Sequence, residues 1–321
     1  LSFGRPVVAY YNSMGYAAAA LGNHELDWGQ DTLRARMREA KFAFLAANVR
    51  QTDGRDVTWI RDDTIVVRGT TRVGIIGIAS RLTPNNSFPR DVEGLRFDDP
   101  APVINSHARS LRQRGADVVI VVAHEGGFCD AAGAGSCTGE IFRVAPRITE
   151  NVDAIVSGHT HSLINTSVNG IPIVQARSRG QAVAILDIPL DGRKPGGAAA
   201  GEVRSVVATE VPALASVDSI VRVTARRVAP IVKRPVANLA VSLPRLEGQY
   251  SLGNVIADAQ RSVGRGDIAV MNNGGIRAGL PKGRITYGHV YEVHPFGNRL
   301  FRVEMSGAGV REYLERIVAR D

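Results

Sequence analysis

The chain has 321 residues, enough for two domains that each bury a hydrophobic core. A hydrophobic content of 44% and a charged content of 22% are typical of a globular protein, and no run of about 18 apolar residues is available to span a membrane. The net charge of +8 lies mostly from Ala213 onward, where 16 Lys and Arg face 9 Asp and Glu. These basic residues are dispersed and lack interleaved aromatic side chains, which argues against a nucleic-acid polymer as partner.

The charge distribution leaves two interpretations open. A basic second half would attract phosphorylated substrates by electrostatic steering. A solvated basic surface with no such role is the simpler explanation. The first residues, Leu1-Ser2-Phe3-Gly4, contain neither an initiator Met nor the basic and apolar regions of a signal peptide. The missing signal carries little weight, because we expect that the natural front of the protein is missing.

Short apolar runs in the first half predict buried strands over residues 73–79, 117–123 and 153–156. Between the first two, Asp98-Asp99-Pro100 predicts the start of a helix that runs to Gly115, with Pro suited to the first turn. Strands that alternate with helices indicate a layered α/β core. Ligands gather beyond the strand ends in such sheets.

Farther along, the runs 171–176 and 182–188 predict two more strands, paired as a hairpin. The low-complexity segment 194–201 predicts an exposed, mobile loop. Apolar positions between 214 and 232 suit one face of a helix, and we place the boundary between two domains around 212–235.

The chain contains two cysteines, Cys129 and Cys137, which flank a loop of small residues. Their spacing, with no other cysteine available, favours a short disulfide, which would indicate an oxidising compartment. Two unpaired thiols are the alternative.

Imidazole and amide side chains follow several apolar runs at the point where each run stops. His124 follows the second predicted strand, His159 and His161 follow the third, and Asn23 with His24 follows an earlier run. Neutral imidazole is the commonest ligand of catalytic divalent metals, and an amide oxygen also suits such ions. Each residue has a structural alternative, since His caps turns and Asn tolerates left-handed backbone. Their repeated placement predicts one shared metal site.

These segments resemble the metallophosphoesterase domain of the 5'-nucleotidase family, which also includes UDP-sugar hydrolases and 2',3'-cyclic-nucleotide phosphodiesterases. The resemblance covers nearly the whole chain. It implies a layered α/β metallophosphoesterase sandwich over 1–212, a linker helix over 213–235 and a smaller α+β substrate-binding domain over 236–321. It also implies hydrolysis of nucleotide or nucleotide-sugar phosphate esters in a periplasmic, extracellular or cell-surface location.

In that family two divalent metal ions, bridged by an Asp, activate a water that attacks phosphorus. By resemblance, Asn23, His124 and His159 would hold one ion, and His161 would help to hold the other. Two ions suit phosphoryl transfer because they stabilise the attacking and leaving oxygens together. The sequence does not choose among Zn²⁺, Mn²⁺, Co²⁺ and similar ions, and it leaves the oligomeric state open.

The resemblance also gives His24 a catalytic role without metal ligation. It would stabilise the developing charge or protonate the leaving oxygen. Asp27, three residues on, would orient that imidazole and favour its charged form.

One departure from the family is important. The family begins with an Asp-x-His pair and a Gly-Asp pair, which supply most ligands of one ion and the bridge, and neither precedes Leu1. We therefore interpret the chain as a fragment truncated at both ends, expected to bind the first ion weakly, the second hardly at all, and to be inactive by itself. A catalytically inert, nucleotide-binding paralogue that truly lacks these ligands is the alternative.

The last part of the chain resembles the family's nucleotide-binding domain, with Leu252–Ala259 matching its opening helix. By resemblance, Asn272 and Arg277 of the loop Asn272-Asn273-Gly274-Gly275-Ile276-Arg277 contact base and phosphate, and the glycines let the backbone approach the ligand. The remaining expected substrate contacts are Arg245, for phosphate, and Phe296, as one plate of an aromatic clamp.

Alternatives stay open for several of these residues. Phe296 can be a core residue and Arg245 a surface residue. His107, His289 and His294 match no ligand position, so we predict structural roles for them. A 2',3'-cyclic-nucleotide phosphodiesterase or 3'-nucleotidase is the alternative activity on the same fold.

Overall fold

The computed structural model describes residues 2–130, 135–192, 194–197 and 199–318. The described residues divide into two compact units, one that ends at Arg222 and one that begins at Val223. The strands of the first unit are β1 (Ala18–Ala20), β2 (Ala43–Leu45), β3 (Val49–Gln51), β4 (Asp63–Arg68), β5 (Thr71–Ile78), β6 (Leu95–Phe97), β7 (Val118–Ala123), β8 (Gly127–Cys129), β9 (Cys137–Gly139), β10 (Ala154–Val156), β11 (Leu163–Val168), β12 (Ile171–Ala176), β13 (Ala182–Asp187), β14 (Leu190–Asp191), β15 (Lys194–Pro195) and β16 (Ala200–Ser205). Its helices are α1 (Arg5–Ser13), α2 (Gln30–Glu39), α3 (Thr83–Asn86), α4 (Pro100–Gln113) and α5 (Glu140–Val144), and α6 (Ala215–Val232) extends across the division.

The main sheet has the strand order β11-β12-β10-β7-β5-β4. Its central strands β5, β7, β10 and β12 are parallel, and β4 and β11 pair antiparallel at the two edges. Parallel strands are covered on both faces, which explains the continuous Val and Ile runs that predict them in the sequence. The strands predicted over 73–79, 117–123 and 153–156 are thus confirmed, with ends shifted by one or two residues.

Helix α4 packs against β5 and β7. It begins as predicted, because the Asp99 carboxylate accepts a hydrogen bond from the Ala101 amide at 3.3 Å and Pro100 occupies the first turn. It ends at Gln113, just before Gly115, whose φ of 84° suits a residue without a side chain. The core between helix and sheet includes Ile104 and Leu111, both fully buried.

A smaller sheet pairs β1 and β2 in parallel, and both of its strands contact β5 of the main sheet. Within the main sheet, Val156 of β10 is in register with Val122 of β7. These two strands therefore end at the same edge, and the residues that follow them lie side by side.

Two predictions about the later strands are wrong. Strand β12 forms its hairpin with β11, whereas β13 pairs antiparallel with β16. The segment predicted as a mobile loop over 194–201 contains β15, which pairs with β14, and the start of β16. Residues 193 and 198 lie outside the described part of the chain.

The second unit is built around α7 (Ser251–Gly264), which confirms the helix expected over Leu252–Ala259. Tyr250, Leu252, Ile276 and Val293 form its buried core. The remaining elements are β17 (Pro235–Leu239), paired antiparallel with β18 (Gly283–Thr286), and the helices α8 (Tyr287–Val293) and α9 (Gly307–Val318). The domain bounds 1–212, 213–235 and 236–321 stay a prediction, with α6 in the expected linker position. No helix within the described ranges combines the length and the apolar character needed to cross a membrane.

Cys129 and Cys137 form a disulfide between the facing positions of the β8–β9 hairpin. The predicted bridge is confirmed, and the alternative of two free thiols is wrong. Residues 131–134 of the intervening loop lie outside the described residues.

Reducing this bridge is expected to lower the midpoint of thermal unfolding. A separation of 8 residues closes a loop whose constraint on the unfolded chain is worth about 2–3 kcal/mol, or roughly 4–12 °C for a domain of this size. Calorimetry with and without reductant measures the shift. The double variant Cys129→Ser/Cys137→Ser is the control, since reductant should not change its midpoint. An equal effect of reductant on both proteins would contradict the assignment.

Candidate functional site

The predicted metal ligands lie at the ends of strands from both sheets. Asn23 begins a single 3₁₀ turn, Asn23–Leu26, shortly after β1. His124 directly follows β7, and His159 lies in the turn after β10. The order of the strands therefore brings residues that are 35 and 101 positions apart in the sequence to one place.

The donor atoms of these side chains converge. His124 Nε2 lies 3.0 Å from Asn23 Oδ1 and 3.2 Å from His159 Nδ1. Two neighbouring ligand atoms on one divalent ion lie about 3.0–3.4 Å apart when each bond is about 2.0–2.1 Å long. The spacing of this amide oxygen and these imidazole nitrogens therefore fits a single metal ion.

The amide is essential to this arrangement. Among the residues that the structure describes, no group of three His, Cys, Asp or Glu side chains is placed to hold a metal ion. Asn23 belongs to none of these residue types, and it is buried, with its carboxamide oxygen directed at His124.

Gly22 permits the close approach of these groups. A β-carbon at this position would lie 2.8 Å from His124 Cε1 and 2.7 Å from Glu25 Oε2, closer than such atoms pack. Its amide donates a hydrogen bond of 2.7 Å to Glu25 Oε2, which anchors the start of the turn that carries Asn23 and His24.

The electrostatics of the site keep His124 neutral. Burial, with a smaller contribution from the neighbouring imidazoles of His159, His24 and His161, lowers its pKa to about 3. A neutral imidazole presents the lone pair that a metal ion requires.

The turn that follows β10 has unusual backbone geometry. His159 and His161 have φ angles of 78° and 60°, a left-handed backbone conformation that residues other than Gly rarely adopt. His159 is half-buried beside His124, with ring centroids 4.9 Å apart, whereas His161 is exposed. The influence of His161 on the pKa of His124 places it within electrostatic reach of the same site.

The predicted catalytic pair is also in contact. His24 Nδ1 lies 2.9 Å from Asp27 Oδ2, and the main chain of the same turn is closed by the Asp27 amide, which donates to the His24 carbonyl. The His24 side chain is 45% exposed, so a substrate can reach it.

The sequence did not identify Glu140 as a neighbour of this site. One of its carboxylate oxygens lies 3.9 Å from His159 Nε2, the nitrogen that faces away from His124, and the other accepts a hydrogen bond of 3.0 Å from the Gly126 amide. Glu140 begins α5, directly after the disulfide-linked hairpin. No sequence motif marks it, because its position depends on the path of that hairpin.

In the second unit, the guanidinium group of Arg277 lies 5.3 Å from the centre of the Phe296 ring, a cation–π contact. Phe296 is half-buried. Its place in an aromatic clamp stays a prediction, with a core residue as the alternative. The imidazole of His294 contacts the same ring edge-on, with centroids 5.8 Å apart.

Arg245 lies against the predicted substrate loop. Its Nε donates a hydrogen bond of 2.7 Å to the Ile276 carbonyl, so the interpretation as a mere surface residue is incomplete. Asn272 is exposed, whereas the adjacent Asn273 accepts a hydrogen bond from the Tyr250 hydroxyl.

The loop glycines lie close to neighbouring side chains, and two of the remaining histidines pair with nearby residues. A β-carbon on Gly275 would overlap the Met271 side chain, and one on Gly274 would only touch Asn272. His107 pairs with Asp63 at 2.7 Å, and His289 accepts a hydrogen bond from the Thr286 amide at the start of α8, which agrees with the structural roles predicted for both.

Two family models match the chain. Residues 3–163 match the model described as calcineurin-like phosphoesterase, which is half of the chain and includes all the strand-end residues of the site. Residues 235–321 match the model of the 5'-nucleotidase C-terminal domain.

Individual proteins match along most of the chain. Endonuclease YhcR of Bacillus subtilis is 30% identical over 96% of this chain and 26% of its own length, and protein UshA of Escherichia coli is 26% identical over 95% of this chain and 63% of its own. The crystal structure of a 5'-nucleotidase precursor from Thermus thermophilus superposes with a TM-score of 0.77 at 28% identity, over 92% of this chain and 61% of that one.

The chain thus spans about a quarter of the first of these proteins and less than two thirds of the other two. The expected fold class is confirmed, a metallophosphoesterase α/β domain followed by a smaller 5'-nucleotidase C-terminal domain. From its matched domains and from the layered sheets that carry the strand-end histidines, the chain belongs to the calcineurin-like phosphoesterase family, in the branch with a 5'-nucleotidase C-terminal domain.

Proposed function

We propose that the complete protein hydrolyses phosphate esters of nucleotides or nucleotide sugars, as a metal-dependent 5'-nucleotidase or UDP-sugar hydrolase. The observation that supports this most is the approach of Asn23 Oδ1 and His159 Nδ1 to His124 Nε2, at 3.0 Å and 3.2 Å. An amide and two imidazoles form a donor set for a catalytic divalent ion.

Asn23, His124 and His159 would hold one ion, and His161 would contribute to a second. When bound, a pair of divalent ions stabilises the attacking and leaving oxygens of a displacement at phosphorus. The chain contributes the neutral His124 and the left-handed turn that aims His159 Nδ1 at it.

His24 would act on the substrate itself. The Asp27 carboxylate, 2.9 Å from His24 Nδ1, orients the ring, which would stabilise the developing charge or protonate a leaving oxygen. Neither residue is part of the metal-binding trio, so binding of metal and transfer of the proton fall to different side chains.

The second unit would bind the substrate through Arg277, Asn272, Phe296 and Arg245, with Gly274 and Gly275 leaving room beside the loop. Arg277 lies over the Phe296 ring, and the resemblance would make this ring one plate of an aromatic clamp on the base. Stacking of a base on an aromatic ring is worth about 1–3 kcal/mol.

We also propose a location outside the cytoplasm, in the periplasm, at the cell surface or in the medium. The Cys129–Cys137 disulfide supports this, because such bridges persist in oxidising compartments.

Residues 1–321 contain no Asp-x-His pair, and their Gly-Asp pair, Gly266-Asp267, lies in the second unit rather than ahead of Asn23, where the family places it. We therefore expect this chain by itself to be inactive and the complete gene product to supply these ligands. The reading frame upstream of Leu1 decides between this proposal and an inert nucleotide-binding paralogue. In-frame Asp-x-His and Gly-Asp pairs support the enzyme, and a start codon at that point supports the paralogue.

The activity is tested by comparing hydrolysis of AMP, UDP-glucose and 2',3'-cyclic AMP by the complete protein with added Mn²⁺. We expect release of phosphate from AMP, or of UMP and glucose 1-phosphate from UDP-glucose, abolished by EDTA and restored by excess metal. Preferential hydrolysis of 2',3'-cyclic AMP would support the cyclic-nucleotide alternative, and hydrolysis that persists in EDTA would contradict the metal-dependent proposal.

A further inference from the structure

A buried glutamine interrupts the apolar strand β12. Gln175 is 1% exposed and follows Ile173 and Val174, both fully buried. A buried carboxamide costs free energy unless its polar atoms find partners, so a Gln in this position requires an explanation.

The partners of Gln175 all lie at the turn that follows β10. Its Nε2 is within 2.9 Å of Thr160 Oγ1, 2.7 Å of Ser162 Oγ and 3.0 Å of the Ser162 carbonyl oxygen. Its Oε1 lies 3.2 Å from Ser157 Oγ, whose hydroxyl also donates to the Glu125 carbonyl at 2.5 Å. One side chain thus holds both ends of the segment that carries His159.

The same segment is held from a second direction. Thr160 Oγ1 donates a hydrogen bond of 2.8 Å to the Gly127 carbonyl and accepts one of 3.1 Å from the Gly127 amide. Ser162 Oγ donates to the same carbonyl. Gly127 begins β8, two residues before Cys129, so this second support is part of the disulfide-linked hairpin.

The turn needs such support because of its backbone. The φ angles are 78° at His159 and 60° at His161, and such a backbone conformation costs free energy for any residue other than Gly. It persists only where surrounding contacts fix it. The hydroxyl of Thr160, between the two histidines, is the point where both supports meet.

We infer that Gln175 is a positioning residue, which acts through Thr160 and Ser162 to hold the strained turn so that His159 Nδ1 faces His124 before metal arrives. Only the purpose of this positioning, which is to bind metal, rests on the proposed function, because the hydrogen bonds exist without metal. Preorganised ligands bind more tightly because the protein does not have to order them on binding.

The test uses the complete protein with the variant Gln175→Leu, which keeps a side chain of similar size and removes the amide. Ile173→Ala, on the same buried strand, is the matched control, because it lowers stability without touching the turn. Affinity is measured by calorimetric titration with Mn²⁺ alone, and order by hydrogen exchange of residues 157–163 in metal-free protein.

We expect Gln175→Leu to weaken Mn²⁺ binding about 10- to 100-fold, as loss of a residue that orients a ligand does elsewhere. Exchange across 157–163 should accelerate in the same variant. Ile173→Ala should leave Mn²⁺ affinity unchanged. Its exchange across 157–163 should accelerate no more than exchange in the rest of the first unit, as its lower global stability requires. Thr160→Val, which removes the shared hydroxyl at nearly constant volume, should reproduce both effects and serves if Gln175→Leu does not fold.

Unchanged exchange in both Gln175→Leu and Thr160→Val would overturn the inference, as would equal effects in Ile173→Ala. If the wild-type protein binds no Mn²⁺, the proposed function fails, and exchange in metal-free protein still decides whether Gln175 holds the turn.

Discussion

Replacing His124 with alanine in the complete protein is expected to remove bound metal and activity together. His124 Nε2 is the atom that both Asn23 Oδ1 and His159 Nδ1 approach, so its loss opens the centre of the donor set. Loss of a residue that hydrogen-bonds to a metal ligand typically lowers metal affinity or activity roughly 10- to 100-fold. Because His124 would be a ligand itself, we expect both metal affinity and kcat/KM to fall by more than this. Elemental analysis of the purified protein and phosphate release from the best substrate measure the two losses.

His107→Ala is the matched control for this variant. His107 is also a half-buried histidine of the first unit, and its ion pair of 2.7 Å with Asp63 gives it a structural role. Its removal should lower stability and leave the metal content unchanged. A His124→Ala protein that keeps its full metal content would show that the three donor atoms converge for a reason other than metal binding.

The convergence at this site was predictable because the sheet is mostly parallel. His124 follows β7 and His159 follows β10, and adjacent parallel strands end at the same edge. The apolar runs, the helix between β5 and β7 and the polar residues at the strand ends were all predicted from the sequence. Asn23 was assigned to the same site from its place after an apolar run, but the order of parallel strands does not explain its position, since β1 belongs to the other sheet.

The pairing of the later strands was not predictable in the same way. The runs that became β12 and β13 are both apolar and adjacent in sequence, which favours a hairpin between them. The true partner of β12 is β11, Leu163–Val168, whose polar residues Asn165, Thr166 and Ser167 alternate between partly buried and exposed positions. An edge strand with one solvated face gives only a weak sequence signal.

Gln175 and Glu140 were missed for a related reason. Both act on His159 only through tertiary contacts, across the β10–β12 pairing and from the end of the disulfide hairpin. In the sequence, Gln175 is one polar residue at the end of an apolar run, and nothing distinguishes a buried amide with partners from a side chain at a strand end.

Replacing His24 with alanine is expected to give the opposite pattern to His124→Ala. The three predicted ligands Asn23, His124 and His159 all remain. His24 is not one of them, and its Nδ1 lies 2.9 Å from Asp27 Oδ2. Metal content should therefore be unchanged, whereas kcat should fall about 10²- to 10⁴-fold, the usual contribution of a positioned proton donor.

Asp27→Asn separates orientation from proton transfer in the same pair. It leaves the His24 imidazole in place and removes the carboxylate that fixes it, so we expect a smaller fall in kcat than for His24→Ala, again without loss of metal. The two substitutions should not be additive, because once the imidazole is absent Asp27 has nothing to orient. A double variant slower than His24→Ala by the full effect of Asp27→Asn would mean that the two residues act independently. Equal loss of metal in His24→Ala and His124→Ala would mean that the division of roles between the turn at Asn23–Leu26 and the end of β7 is wrong.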